Sequence, residues 1–119
     1  CEKISKNKDV FYGTGNEIRD WLHISDLTIL VYKVIKKNLN YNTIINCGTG
    51  RGNKVKDIIE IIKKEFNSNI KIKYINKKKN SPKILINNIK IAKSYKWEPK
   101  IDVNKGILKY IKWYKKINA

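Results

Sequence analysis

Tyr12-Gly13-Thr14-Gly15-Asn16-Glu17-Ile18-Arg19-Asp20-Trp21-Leu22-His23-Ile24-Ser25-Asp26-Leu27 is the stretch on which the fold turns. Val10-Phe11-Tyr12 reads as a short strand stopped by the turn cluster Gly13 to Asn16. Ile18 to Ile24 reads as a second extended piece. Ser25 is a natural N-cap, since its hydroxyl can accept from free amides at a helix start. The helix it opens is expected to run to about Asn38, with Leu27, Leu30, Val31, Val34 and Ile35 at helical spacing.

Downstream, Thr43 to Cys47 is β-branched and predicts a compact buried strand, followed by the turn Gly48-Thr49-Gly50-Arg51-Gly52. An amphipathic helix is expected from about Asn53 to Phe66 on Val55, Ile58, Ile59, Ile62 and Phe66. Ile70 to Ile75 alternates apolar residues with Lys, the mark of a half-exposed strand. Ile84-Leu85-Ile86 predicts a short strand, and Asn87 or Asn88 a cap for a helix ending near Lys96. Pro99 breaks the chain there, and Asp102 to Ile117 predicts a last helix with Ile107, Ile111, Tyr114 and Ile117 on one stripe. Trp97, Trp113 and Tyr114 read as core rather than as a stacking platform. The order is that of an α/β chain with too few strands for a full doubly wound sheet. The 119 residues make one domain, with 1 to 8 as a polar tail of a preceding segment.

The net charge of +17 points at first to a nucleic-acid binder. Composition argues otherwise. Of 27 basic residues 25 are Lys, and Lys, Ile and Asn together supply 62 of 119 positions against two Ala. AT-rich coding produces that bias in any fold, and the Lys spread over every segment as solvated faces do. Only Lys77-Lys78-Lys79 forms a true cluster. Such a surface still attracts polyanions without specificity, so a stand-alone basic module binding nucleic acid is the alternative reading. No apolar run reaches the roughly 18 residues a membrane span needs, and no membrane partner is expected. Cys1 and Cys47 lie far apart with one His in the chain, which argues against zinc and for reduced cytoplasmic thiols.

Each candidate for chemistry has a plainer explanation beside it. The glycine turn sits between a predicted strand and helix, but a GxGxxG fingerprint needs glycine at position 53, where Asn stands. The plainer reading is a tight turn whose amides meet an anion. Tyr32/Lys36 and Tyr74/Lys78 have the Tyr-x-x-x-Lys spacing, yet seven Tyr among 25 Lys yield a pair or two by chance. His23 next to Trp21 is expected to be a structural hydrogen-bonder, there being no nucleophile presented with it. Arg19 is one of two Arg where Lys is the common choice, which suggests a site needing a planar fork. Its alternative is a salt bridge to Asp20 or Asp26.

Taken together, these residues resemble the extended short-chain dehydrogenases: nucleotide-sugar epimerases, 4,6-dehydratases and reductases. The segment 12–27 is similar to their Tyr-Gly-x-Gly-x-x-x-Arg-Asp-Phe/Trp-x-His/Tyr-Val-x-Asp motif. Ile45-Asn46-Cys47-Gly48-Thr49-Gly50 resembles their Tyr-Asn-x-Gly-Ser-Gly turn, and Ser81-Pro82-Lys83-Ile84-Leu85-Ile86-Asn87 their Thr-Pro-Arg-Lys-Leu-Leu-Asp stretch. Lys90, Trp97-Glu98-Pro99-Lys100, Gly106 and Trp113-Tyr114 follow their closing pattern. The resemblance spans residues 9 to 117 in order.

It implies a small α/β C-terminal, substrate-binding portion of a Rossmann-type enzyme, with the N-terminal cofactor half absent. That half would bind NAD or NADP and carry the catalytic residues; none is assigned to this chain, and no metal. The resemblance further implies that Arg19 grips the nucleotide diphosphate of a sugar, Tyr12 and Gly13 line the base, and Lys83 is a second cation near the phosphates. His23 and Asp26 match architectural positions. The partners implied are a nucleotide-diphosphate sugar, the missing half and a second copy of the whole enzyme. Lys77-Lys78-Lys79-Asn80 departs from the Arg-Pro-Gly-Asp of many members, which leaves nucleotide and sugar open.

Overall fold

The computed structural model describes residues 1–37, 42–76 and 81–119. Ten short elements follow one another: α1 (Glu2–Ser5), β1 (Val10–Tyr12), β2 (Ile18–Asp20), α2 (Ile24–Lys36), β3 (Gly52–Lys54), α3 (Val55–Glu65), β4 (Lys73–Ile75), β5 (Ile84–Leu85), α4 (Lys90–Ser94) and α5 (Val103–Ile117). They form two small sheets. β1 runs parallel to β4, with Phe11 opposite Tyr74. The other sheet has the order β3-β2-β5, β2 antiparallel to β3 and parallel to β5.

The core gathers where α2 meets α4 and the segment after it. Leu30, Ala92, Tyr95 and Trp97 are buried there, with Leu22, Val34, Ile45, Cys47 and Ile89 packed around them. Asp26 is the buried polar residue at this junction, 2% exposed. Its Oδ2 accepts from the amides of Lys100 (3.1 Å) and Ile101 (2.9 Å), and its carbonyl accepts from Trp97 Nε1 at 2.9 Å. A single residue of α2 thus fixes the whole 97–101 segment. The molecule is a slab of 51 × 37 × 18 Å, too thin for a sheet covered on both faces. Ile84, Leu85 and Ile86 are accordingly exposed on β5 and just past it, and Val31, Tyr32 and Ile35 on α2.

Several sequence expectations are corrected. The helix at 24–36 starts one residue before Ser25 and is capped by His23, whose Nδ1 accepts from the Ser25 amide at 3.2 Å. The second extended piece is shorter than 18–24, ending at Asp20. The predicted end near Asn38 lies outside the described residues.

Thr43 to Cys47 is not a strand: the segment has no backbone hydrogen bond to a described residue, and Ile44 is 89% exposed. β-Branched sequence alone cannot make a strand without a neighbour to complete its ladder. Gly52–Lys54, expected in or before a helix, is instead recruited as β3 by pairing with β2. Residues 2–5 form a helical turn with Ile4 buried, not a featureless tail. Its Ser5 hydroxyl lies 3.2 Å from the Tyr114 hydroxyl, tying the chain's start to α5. Trp97 is core as expected, but Trp113 is 53% exposed, because it lies off the Ile107/Ile111/Tyr114 stripe.

Candidate functional site

Arg19 occupies the middle strand of the three-stranded sheet, opposite Asn53 on one side and Leu85 on the other. Strand side chains alternate between faces, so these three share one face. Lys83 lies just ahead of β5, and its carbonyl oxygen accepts from the Ile18 amide at 2.9 Å. Ser81, two residues earlier again, meets Arg19 directly: Nη2 donates to its Oγ at 3.5 Å. Arg19 Nη1 donates to its neighbour's carbonyl, Ile18 O, at 2.8 Å. The side chain is therefore held half-buried along the strand with donors of its fork still unused.

The expected carboxylate partners of Arg19 are engaged elsewhere. Asp20 points to the opposite face, where Oδ1 accepts from the amide and hydroxyl of Thr49 (2.7 and 2.5 Å). Its Oδ2 accepts from the amides of Gly50 (3.0 Å) and Asn87 (3.2 Å). Burial pushes the Asp20 carboxyl up, but the Thr49 hydroxyl and these three amides outweigh it and hold the group below the ordinary aspartate range. Asp26 is committed to the 100–101 amides. Among the described residues Arg19 makes no ion pair. The salt-bridge alternative is not what the structure contains.

The same contacts redefine the glycine turn. Its Thr49 and Gly50 amides, expected to await an anion, are satisfied by Asp20 inside the chain. Arg51 N in turn donates to Thr49 Oγ1 at 3.1 Å. The turn is thus a joint that fixes β2 to the β5–α4 connection, and a dinucleotide pyrophosphate does not fit it.

Tyr12 and Gly13 lie on the other sheet, at the end of β1. Tyr12 is 60% exposed, with Lys3 Nζ 5.2 Å from the centre of its ring. Gly13 has φ +151°, and a Cβ there would stand 2.8 Å from Phe11 Cε1, so the turn requires glycine. The structure thus brings Arg19 to Ser81, places the Lys83 backbone against Ile18, and leaves Tyr12 and Gly13 on a neighbouring sheet, joined to β2 by the 13–17 loop. The Lys77-Lys78-Lys79-Asn80 loop lies outside the described residues. Of the Tyr-x-x-x-Lys pairs, Lys36 Nζ sits 5.1 Å over its own Tyr32 ring on an exposed face of α2, and Lys78 is outside the described residues.

An apolar groove of about 1050 Å³, lined by α3, α5, the 21–25 segment and the start of the chain, contains none of Arg19, Lys83, Tyr12 or Gly13. Ile58, Ile59, Ile62, Ile107 and Trp113 dominate its lining, an environment that would strip solvent from a phosphate without replacing it. Among the described residues no group of His, Cys, Asp and Glu is arranged to hold a metal ion, and no helix is long and apolar enough to cross a membrane.

No family model matches the sequence. Individual proteins do. A putative UDP-glucose 4-epimerase of Methanocaldococcus jannaschii is 32% identical over 119 residues, covering 98% of this chain and 38% of its own length. A dTDP-glucose 4,6-dehydratase of Escherichia coli is 29% identical over 112 residues, 87% of this chain and 31% of its own. A UDP-glucose 4-epimerase of Thermotoga maritima, solved with UDP-glucose, superposes with a TM-score of 0.86 at 22% identity, over 99% of this chain and 38% of that one. An epimerase of Methanothermobacter thermautotrophicus gives 0.89 at 19% identity, over 97% and 35%. The chain spans about a third of the length of these relatives, 38% of the first. In sequence it is similar to nucleotide-sugar epimerases and dehydratases over about a third of their length, and in fold it matches an α/β part of the solved epimerases.

Proposed function

We propose that this chain is the substrate-binding part of an NAD(P)-dependent nucleotide-sugar epimerase, 4,6-dehydratase or reductase, and that Arg19 holds the diphosphate of the sugar nucleotide. The observation that carries this reading is an arginine on the middle strand with no carboxylate partner among the described residues and with the Ser81 hydroxyl at its fork. A planar cation with spare donors suits phosphate oxygens. Tyr12 and Gly13 would lie beside the base.

The chain's part in the reaction is binding and orientation. Gripping the diphosphate positions the sugar over a nicotinamide that would be carried by polypeptide beyond these residues, and positioning of this kind lowers the barrier without any proton transfer here. The Gly48–Gly52 turn is taken by Asp20, and no step of hydride chemistry is assigned to this chain. The putative epimerase from Methanocaldococcus supports the UDP-sugar class, and the E. coli dehydratase the dTDP-sugar class.

The +17 charge supports one competitor, a general polyanion binder. Titration with UDP-, GDP-, dTDP- and CDP-sugars alongside single-stranded RNA, at two salt concentrations, separates them. The proposal expects saturable preference for one sugar nucleotide with a shallow salt dependence. Affinity that falls steeply with salt and favours RNA would overturn it. Arg19→Ala should weaken the sugar nucleotide by about 1.5–3 kcal/mol, the scale of a charged hydrogen bond.

A further inference from the structure

The sheet that carries Arg19 has little of its own to keep its strands in register. β5 pairs with β2 over only two positions, Ile18 with Ile84 and Arg19 with Leu85, and both β5 side chains are exposed. β3 is Gly-Asn-Lys, a poor strand sequence, paired over three. Register is weakly specified where burial of one face does not enforce it. We infer that Asp20 is the positioning residue of the Arg19 site: its carboxylate holds the chains on both sides of β2 in place, and through them the aim of the Arg19 fork. The inference rests on the substrate reading proposed above and adds to it a residue that need not touch the phosphates.

The carboxylate reaches both neighbours at once. Just past β5, the Asn87 amide donates to Oδ2 at 3.2 Å. Just ahead of β3, the Gly50 amide donates to Oδ2 at 3.0 Å, and the Thr49 amide and hydroxyl donate to Oδ1 at 2.7 and 2.5 Å. At the other end of β5 the Ile18 amide donates to the Lys83 carbonyl at 2.9 Å, so the short ladder is tied at both ends and Asp20 is the far tie. Gly48 allows the approach. A Cβ there would stand 2.5 Å from Asp20 Oδ2 and 2.5 Å from Asn87 Nδ2, so the turn can close on the carboxylate only over a glycine.

Arg19 depends on that register through its own two bonds. Nη1 donates to Ile18 O on β2 at 2.8 Å, and Nη2 meets Ser81 Oγ at 3.5 Å on the run that leads into β5. A slip of one residue would shift β5 by about 3.3 Å along β2 and turn its side chains to the other face. Ser81 would then leave the fork. Short of a slip, a loosened strand lets the guanidinium sample more directions, and that freedom must be given up when an anion binds. Asp20 thus acts on the site through Arg19.

The test titrates this chain with UDP-, GDP-, dTDP- and CDP-glucose at neutral pH and follows whichever binds best. Asp20→Asn is expected to lower affinity about tenfold and Thr49→Val about threefold, the scale of a small misplacement of a binding group. Thr49→Ser restores the hydroxyl and should bind as the unaltered chain does. In an Arg19→Ala background the same substitutions should change affinity less than about twofold, because the group they aim is gone. A merely structural role would leave the losses equal in both backgrounds. Melting curves establish that each variant is folded at the assay temperature, and Thr49→Val carries the test alone if Asp20→Asn does not fold. Equal losses with and without Arg19 overturn the positioning role and leave the substrate reading standing. So does unchanged affinity in Thr49→Val and Asp20→Asn when Arg19→Ala is weakened. Full affinity in Arg19→Ala, or no binding of any of the four by the unaltered chain, overturns both.

Discussion

Thr49 donates twice to a single oxygen of Asp20, through its amide at 2.7 Å and its hydroxyl at 2.5 Å. The two residues are 29 positions apart in sequence. The contact locks the glycine turn against β2, the strand that carries Arg19. Thr49→Val removes the hydroxyl while keeping the branched shape, and should cost about 1–2 kcal/mol of unfolding free energy. Asp20→Asn should cost more, because an amide nitrogen then faces backbone N–H groups that need an acceptor. Thr49→Ser should be nearly silent. Equal denaturation midpoints for Thr49→Val and Thr49→Ser would show that the hydroxyl contributes nothing.

Acid should loosen the same joint. The donors on Asp20 bind its ionised form, so its folded pKa lies below the unfolded value of about 3.9. A depressed carboxylate contributes stability that is fully present above the unfolded pKa and is lost as pH falls through the folded one. Unfolding free energy should therefore decline below about pH 4. Glu17, held down chiefly by the Thr14 amide, adds to the decline. Because Glu17 is retained, the informative quantity is the difference between the unaltered chain and Asp20→Asn. That gap should close as pH drops from about 6 to 2.5. A gap constant with pH would mean that Asp20 is not ionised in the fold.

The sequence was readable where one segment's own pattern decides its structure. Val10–Tyr12 and Ile84–Leu85 appear as expected from short apolar runs, and α5 begins after Asp102, whose side chain accepts from the Lys105 amide at 3.0 Å. It was unreadable where a distant partner decides. Gly-Asn-Lys is a poor strand sequence and becomes β3 only because β2 lies beside it. Thr43 to Cys47 is a good strand sequence and remains unpaired for want of one. The candidate site divides the same way. Arg19 stood out because arginine is rare in a lysine-rich chain, a signal available in one dimension. Asp20 read as a salt-bridge partner because its four donors come from residues 49, 50 and 87.

Trp97 and Trp113 looked alike in sequence and should behave in opposite ways on substitution. Trp97 is 2% exposed and donates its Nε1 proton to the Asp26 carbonyl, whereas Trp113 is 53% exposed on α5 beside Tyr110. Trp97→Ala removes the largest side chain of the core and should cost about 3–5 kcal/mol. Trp97→Phe keeps most of the volume and loses the hydrogen bond, for about 1–2 kcal/mol. Trp113→Ala touches neither and should stay within about 0.5–1 kcal/mol of the parent. Asp26→Ala attacks the same junction from the other side, leaving the Lys100 and Ile101 amides without their acceptor, and should cost about 2–4 kcal/mol. Because the Trp97 side chain and the Asp26 carboxylate anchor the same 97–101 segment, the double variant should lose less than the two single losses added together. Urea denaturation of the five variants measures all of this, and strict additivity would mean that the two residues stabilise separate parts of the fold.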